Sequence, residues 1–202
     1  DILPVSPQPK VILTLALLFG LAIPVLAIYI IDLFKTQIRG REDLEGLSEV
    51  NIIGEISRNE TKDLVVIGVN RNTAIAEMFR SLRNNLGFVL KNETNKVILI
   101  TSTIAHEGKT FMSVNLALSF ALSGKKVLLI GADVRNPKLR KYINVDNRKG
   151  LTDFLISPDS NWKTYLNKTD IDKNIDVMIA GTIPPNPNEL LMSSKLKLFL
   201  LE

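Results

Sequence analysis

VILTLALLFGLAIPVLAIYII, residues 11–31, runs for 21 positions without a charge between Lys10 and Asp32. No other stretch restricts the fold of this chain so strongly. At 1.5 Å rise per residue it makes about 30 Å of helix, the thickness of a bilayer's hydrocarbon core. Two other readings compete. A buried core helix is seldom this long without a charge. A cleaved signal peptide has a basic start and an A-x-A-like cleavage site, and both are missing here. The run is therefore read as a transmembrane helix over 11–31, which tolerates Gly20 and Pro24 inside it. Lys35, Arg39 and Arg41 follow the span and only Lys10 precedes it. Basic flanks stay on the cytoplasmic side, which places the rest of the chain in the cytoplasm and residues 1–10 across the membrane.

Beyond the span the chain changes character twice. Residues 32–70 are mixed and polar, with glycines at 40, 46, 54 and 68, and read as a linker. Within it RGREDLEGL is an exposed turn or short helix, and EVNIIGEIS offers room for a short strand. From about Thr73 the spacing of Ile75, Met78, Phe79, Leu82 and Leu86 predicts a helix. KVILIT (96–101) and KVLLIG (126–131) are continuous apolar runs, the mark of strands covered on both faces. Residues 109–123 between them predict a helix, with Gly124 as its stop signal. Strand, helix and strand make a βαβ unit. IDVMIA (175–180) is a third strand, followed by Gly181 and the loop TIPPNPN, and NELLMSSKLKLFLLE is read as one more helix. The predicted fold is an α/β, mostly parallel sheet with helices on both faces, preceded by one transmembrane helix. The chain opens on Asp1 and ends on Glu202 within an apolar run, and is read as part of a longer protein.

The chemistry concentrates in TSTIAHEGKT, residues 101–110. A phosphate loop needs a strand, a tight turn and a helix, so that backbone N–H groups and the helix N-terminus meet the anion. Residues 97–123 provide that order. Gly108 permits close approach, Lys109 supplies a mobile positive charge, and the Thr110 hydroxyl suits a Mg²⁺ ligand. The common loop pattern wants glycine six positions before the lysine, and Thr103 stands there instead. His106 is read as a solvent-facing loop residue rather than a base. Other chemistries are excluded by composition. There is no cysteine, hence no disulfide, thiolate zinc site or thiol nucleophile, and a single histidine rules out a multi-histidine metal site. The net charge of +4 comes without a dense basic block, so nucleic acid is not an expected partner.

VLLIGADVRNPKL (127–139), with Asp133, Arg135 and Pro137, resembles the second nucleotide motif (Walker A′) of the bacterial tyrosine kinases, or BY-kinases. Ser102, Glu107, Gly108, Lys109 and Thr110 match that family's deviant, MinD-like Walker A loop. Glu77, Arg80 and Arg83 match its E-x-x-R-x-x-R helix, and AGTIPPNPNELL (180–191) its G-x-x-P-P-N-P-x-E-L-L segment. VSPQPK, the span and a GREDLEGL-like tether resemble the membrane exit of polysaccharide copolymerases of the chain-length-determinant type. The resemblance covers nearly the whole chain.

The resemblance implies ATP and Mg²⁺ as cofactors. Thr103, Ile104, Ala105, His106, Glu107, Gly108, Lys109, Thr110, Phe111 and Arg135 would bind the nucleotide. Thr110 and Asp133 would hold the metal, and Lys109 and Asp133 would be catalytic. Glu77, Arg80 and Arg83 share one helical face, which in the family docks into the next subunit of a homo-oligomeric ring. Further implied partners are the polysaccharide polymerase and export machinery, a tyrosine phosphatase and the bacterial inner membrane, with residues 1–10 periplasmic and the P-loop domain (71–202) cytoplasmic. The implied function is an ATP-dependent protein-tyrosine autokinase that regulates capsular or extracellular polysaccharide chain length and export.

One departure weighs against catalysis: the family's D-x-D has Gly131 at its first position. Walker B and the tyrosine cluster are expected beyond Glu202, and Tyr29, Tyr142 and Tyr165 are scattered. The 202 residues alone are therefore expected to be inactive. Two alternatives stay open, a structural copolymerase that binds ATP without phosphorylating, and a MinD/ParA-like ATPase switch.

Overall fold

The computed structural model describes residues 9–33, 40–45, 50–69, 71–91, 97–145, 147–159 and 161–201. The chain divides into two units, with the boundary after Ile52.

The first unit contains α1 (Pro9–Leu33) and α2 (Arg41–Glu45). α1 extends the expected span by two residues at each end, to 25 residues or about 38 Å. An 18-residue stretch of it has a mean hydropathy of 2.8, none of its residues is buried, and it is long and apolar enough to cross a membrane. α2 falls within the short exposed segment expected at RGREDLEGL. Lys35 and Arg39 lie outside the described residues.

The second unit is built on a three-stranded sheet ordered β1-β3-β2. β1 (Val127–Ile130) runs parallel to β3 (Ile175–Met178), with Val127 opposite Ile175. β2 (Asn167–Lys168) is antiparallel to β3. Side chains alternate across the sheet, as the period of two requires. Val127, Leu129, Ile175 and Val177 face one core with α3 (Ala74–Val89) and α4 (Lys109–Leu122). Leu128, Ile130 and Met178 face a second core with Leu151, Phe154 and Leu155 of α5 (Leu151–Ile156) and Phe199 of α7 (Ser194–Phe199). Helices thus cover both faces, as the sequence predicted.

α3 forms where Phe79 and Leu82 recur on one face, and it starts where the Thr73 hydroxyl accepts from the Ala76 N–H. Its Phe79 meets Phe111 of α4 edge to face at 5.7 Å. α4 ends as expected at Gly124, whose positive φ of 84° lets Lys125 N–H reach back to Phe120 O.

Four expectations fail. Residues 97–101 do not enter the sheet, and Val97 and Leu99 remain 62% and 81% exposed. An apolar run records a tendency to be covered, whereas a strand also needs a ladder partner, and β1 takes β3 as its partner. The parallel pair is therefore joined by residues 131–174 rather than by α4. Residues 50–57 form no strand either. From Ile53 on the segment is held against α3, with Asn85 Nδ2 donating to Ile53 O at 2.8 Å and Gly54 close against Leu82. The linker read over 32–70 does not hold for 53–69, where Val66 and Ile67 are buried. Finally, the helix expected from Asn188 onward is two helices, α6 (Pro187–Leu191) and α7. Ser193 breaks it by capping α7 through the Leu196 N–H.

Asn115 holds the 64–67 segment in place. Its side chain is fully buried in α4, accepts from Val66 N–H at 2.8 Å and donates to Leu64 O and Phe111 O. Asn115→Leu should cost about 2 kcal/mol, because it strands a buried N–H. Thermal unfolding of the whole chain in detergent checks this, and an unchanged midpoint refutes it.

Candidate functional site

Two loops and a helix start converge on one edge of the sheet. The carbonyl of Ala121, in the last turn of α4, accepts from Asn174 Nδ2, and Asn174 directly precedes β3. α4 therefore runs antiparallel to β1 and β3, and its first residue, Lys109, lies toward their carboxyl ends. The loops that leave those carboxyl ends carry Asp133 and Arg135 after β1, and Gly181 to Pro187 after β3. In open α/β sheets this is the edge where ligands bind.

The phosphate loop is curled by two residues of positive φ, His106 at 70° and Gly108 at 93°. A Cβ on Gly108 would meet nothing within 4 Å, so backbone conformation rather than crowding calls for glycine there. Gly108 precedes α4 with no side-chain cap, which leaves the first amides of the helix, those of Lys109, Thr110 and Phe111, open to an anion. Lys109 Nζ lies back across the loop, donating to Ser102 Oγ at 2.7 Å and Ile104 O at 3.3 Å. Glu107 accepts from the Ile104 N–H at 3.2 Å. That bond foremost, helped by Ser102, the Thr103 N–H and the Lys109 charge, holds the Glu107 carboxyl below its ordinary range. The ionised form is thus favoured in the folded loop. Its contribution is present at neutral pH and is lost as acid titrates the carboxylate.

The expected nucleotide residues fall into two groups. Thr103, Ile104, Ala105, His106 and Glu107 are exposed along the loop, while Gly108, Lys109, Thr110 and Phe111 are half-buried. The Phe111 ring points into the core against Phe79, so this residue offers a ligand only its amide. The loop fits a polyphosphate: an ammonium, a row of free amides and a helix N-terminus lie together.

The β1 loop is less complete. Asp133 is exposed and accepts from Asn136 N–H at 3.0 Å. Arg135 donates to Asn188 Oδ1 at 2.8 Å. Gly131 has a packing reason of its own. Its N–H bonds Met178 O, and a Cβ there would come within 3.2 Å of Ala180 N and 3.3 Å of Leu139 Cδ2. An aspartate at 131 needs these neighbours to shift by a few tenths of an ångström. Among the described residues no three histidine, aspartate or glutamate side chains cluster as a ready metal cage. Mg²⁺ does not require one, since it keeps waters and takes one or two carboxylates plus substrate phosphates.

The Glu77 face of α3 is partly engaged within its own chain. Arg80 pairs with Glu77 and donates to Arg71 O at 3.1 Å, and Arg83 donates to Ser119 O at 3.0 Å and to Asn84.

Sequence reasoning missed a cluster that fixes the β3 loop. Asp153 accepts from Gly150 N–H, Thr182 N–H and the Thr182 hydroxyl, while the Thr152 hydroxyl meets Ala180 O and Thr182 O. The readable signal was a glycine-led G-L-T-D at a helix start. Asn115 was also missed. It lies four residues after Phe111 and four before Ser119, on the buried side of α4.

Comparisons with known proteins agree with this geometry. The CobQ/CobB/MinD/ParA nucleotide binding domain model matches residues 98–192. The tyrosine-protein kinase ptk of Acinetobacter johnsonii is 30% identical over 206 residues, 96% of this chain and 28% of that protein. The tyrosine-protein kinase YwqD of Bacillus subtilis is 39% identical over 122 residues, 60% of this chain and 51% of the relative. This chain thus spans from about a quarter to about half of the length of these relatives. The kinase domain of Escherichia coli tyrosine kinase ETK superposes with a TM-score of 0.70 and 30% identity, over 82% of this chain and 68% of that one. The BceF tyrosine kinase domain gives 0.68 and 29%. An amide-lined loop, a lysine folded over it and a sheet shared with these kinase domains place the chain by descent as well as by geometry: it belongs to the bacterial tyrosine-kinase family, in its MinD-like P-loop branch.

Proposed function

We propose that this chain is the membrane-anchored, ATP-binding part of a protein-tyrosine autokinase that regulates the chain length and export of a capsular or extracellular polysaccharide. The observation that carries the reading is the Lys109 ammonium folded back onto Ser102 Oγ and Ile104 O within a loop that leads into the uncapped start of α4. When bound, ATP supplies the γ-phosphoryl group that a tyrosine oxygen accepts, with ADP leaving and the phenolic proton passing to solvent or a carboxylate. Lys109 and the amides of Lys109, Thr110 and Phe111 would hold the phosphates, and Thr110 and Asp133 would hold Mg²⁺. Holding and neutralising charge is most of what phosphoryl transfer asks of a protein. α1 is the anchor in the inner membrane, with the P-loop domain on the cytoplasmic side. The polysaccharide machinery and a tyrosine phosphatase are the partners in this reading.

The test uses the full-length protein in detergent with ATP and Mg²⁺, probed for phosphotyrosine. A signal supports the autokinase. Nucleotide binding without a signal supports the second reading, a structural copolymerase, which the glycine at 131 favours.

We also propose that the Glu77, Arg80 and Arg83 face joins subunits into a ring. Glu77→Lys puts like charge beside Arg80 and should convert the oligomer to smaller species in light scattering. An unchanged mass would remove this face from the interface.

A further inference from the structure

The phosphate loop is closed on itself by its own charges, and Ile104 is where they meet. The Ile104 N–H donates to the Glu107 carboxylate at 3.2 Å. Its carbonyl accepts from Lys109 Nζ at 3.3 Å and from Ser102 Oγ at 2.9 Å. Lys109 Nζ also donates to Ser102 Oγ at 2.7 Å. An anion and a cation of the loop are thus fastened to one residue. We propose that the Glu107 carboxylate is an internal competitor of the nucleotide: it takes the place of an anion in the empty loop, has to leave when a polyphosphate enters, and so sets a limit on nucleotide affinity. The proposal rests on the nucleotide-binding part of the reading above and concerns the regulation of that same site.

Three observations carry it. First, the closure spends what a phosphate needs. Such a loop works through inward N–H groups and a mobile ammonium. Here the Ile104 N–H already faces a carboxylate, and Lys109 faces two oxygens of its own loop. Second, the carboxylate is charged. The Ile104 N–H foremost, with Ser102, the Thr103 N–H and the Lys109 charge, holds it below its ordinary range, so it is ionised at neutral pH. A polyphosphate drawn to Lys109 therefore meets a like charge two residues away, and the two repel. Third, little holds the closure shut. Glu107 is exposed, and Ile104 is 65% exposed, so no core packing adds to the hydrogen bonds. His106, directly before Glu107, is the only non-glycine among the described residues with positive φ, at 70°. That backbone region is sparsely populated, and residues held in it gather at ligand clamps and switch segments. The measured affinity is then that of the open loop reduced by the fraction of molecules in which it is open.

The experiment uses the full-length protein in detergent and two variants. Glu107→Gln keeps the shape and an acceptor oxygen and removes the charge. Glu107→Ala takes its place if a thermal melt shows that the glutamine variant does not fold. Calorimetric titration reads affinity for ADP, pyrophosphate and adenosine. Glu107→Gln should bind ADP and pyrophosphate about fivefold or more tightly than the unmutated protein, because the competing charge is gone. Adenosine, which has no phosphate, should change by less than about twofold. A smaller gain for the two phosphate ligands, or weaker binding, would overturn the proposal and make Glu107 a support of the loop or a ligand of the nucleotide. An equal gain for adenosine would overturn it too, since the effect would not follow charge. If the protein binds nucleotide but forms no phosphotyrosine, the kinase reading fails alone and the affinities still decide. If the unmutated protein binds neither phosphate ligand, pyrophosphate binding that appears in the variant supports the proposal, and none in either protein overturns it.

Discussion

Lys109→Met in the full-length protein should lower phosphotyrosine formation by at least about a thousandfold, the scale on which one charge clamp acts in phosphoryl transfer. Methionine nearly matches the shape of lysine but cannot donate. It removes the hydrogen bonds to Ser102 Oγ and Ile104 O that hold the ammonium across the loop. It also removes the positive charge that the loop holds beside the uncapped start of α4. The residue is half-buried at a helix start, so the fold should persist and the melting temperature without nucleotide should hold. Immunoblotting for phosphotyrosine beside a thermal melt checks both halves. Phosphorylation within tenfold of the unmutated protein, with folding intact, would show that Lys109 is not the clamp.

The largest effect on stability should come from Gly150→Ala. A Cβ at 150 would lie 2.0 Å from Ile179 O, 2.7 Å from Ile179 C and 2.8 Å from Gly181 N, all backbone atoms. They cannot retreat easily, because Leu151 N–H donates to Ile179 O and Thr152 N–H to Ala180 O. A contact at that distance forces the α5 start away from the end of β3. The expected cost is about 4 kcal/mol, among the largest for a point change. The melting temperature should fall by about 10 °C. Gly87→Ala is the contrast. It sits in α3 with nothing within 4 Å of the added atom, and should raise stability by up to about 1 kcal/mol. Equal melting temperatures for the two variants would mean that α5 does not approach β3 this closely.

The parts legible from sequence are those with a local cause. α3 announces itself through the spacing of Ile75, Met78, Phe79, Leu82 and Leu86, and α4 through its apolar run and Gly124. The nucleotide loop is visible because Gly108, Lys109 and Thr110 need only a helix start to have meaning. β1 and β3 were readable as short apolar runs. What failed depends on partners distant in sequence. Residues 97–101 have the composition of a strand, but pairing is decided elsewhere. The 64–67 segment looks like part of a linker until Asn115, 49 residues beyond Val66, takes its amide. The role of Gly131 required knowing how close Ala180 comes. Ser193 was a legible signal that a longer apolar pattern outweighed.

The buried amide of Asn115 has a consequence for opening motions. Val66 N–H is bonded to a side chain rooted in the middle of α4, so its proton can exchange with solvent only when that contact breaks. The segment from Leu64 to Ile67 and the helix that starts at Lys109 should therefore exchange as one cooperative unit. Its protection would exceed anything an extended, strandless stretch achieves alone. Residues that precede the nucleotide loop by some forty positions thereby share a single opening equilibrium with the helix carrying its lysine.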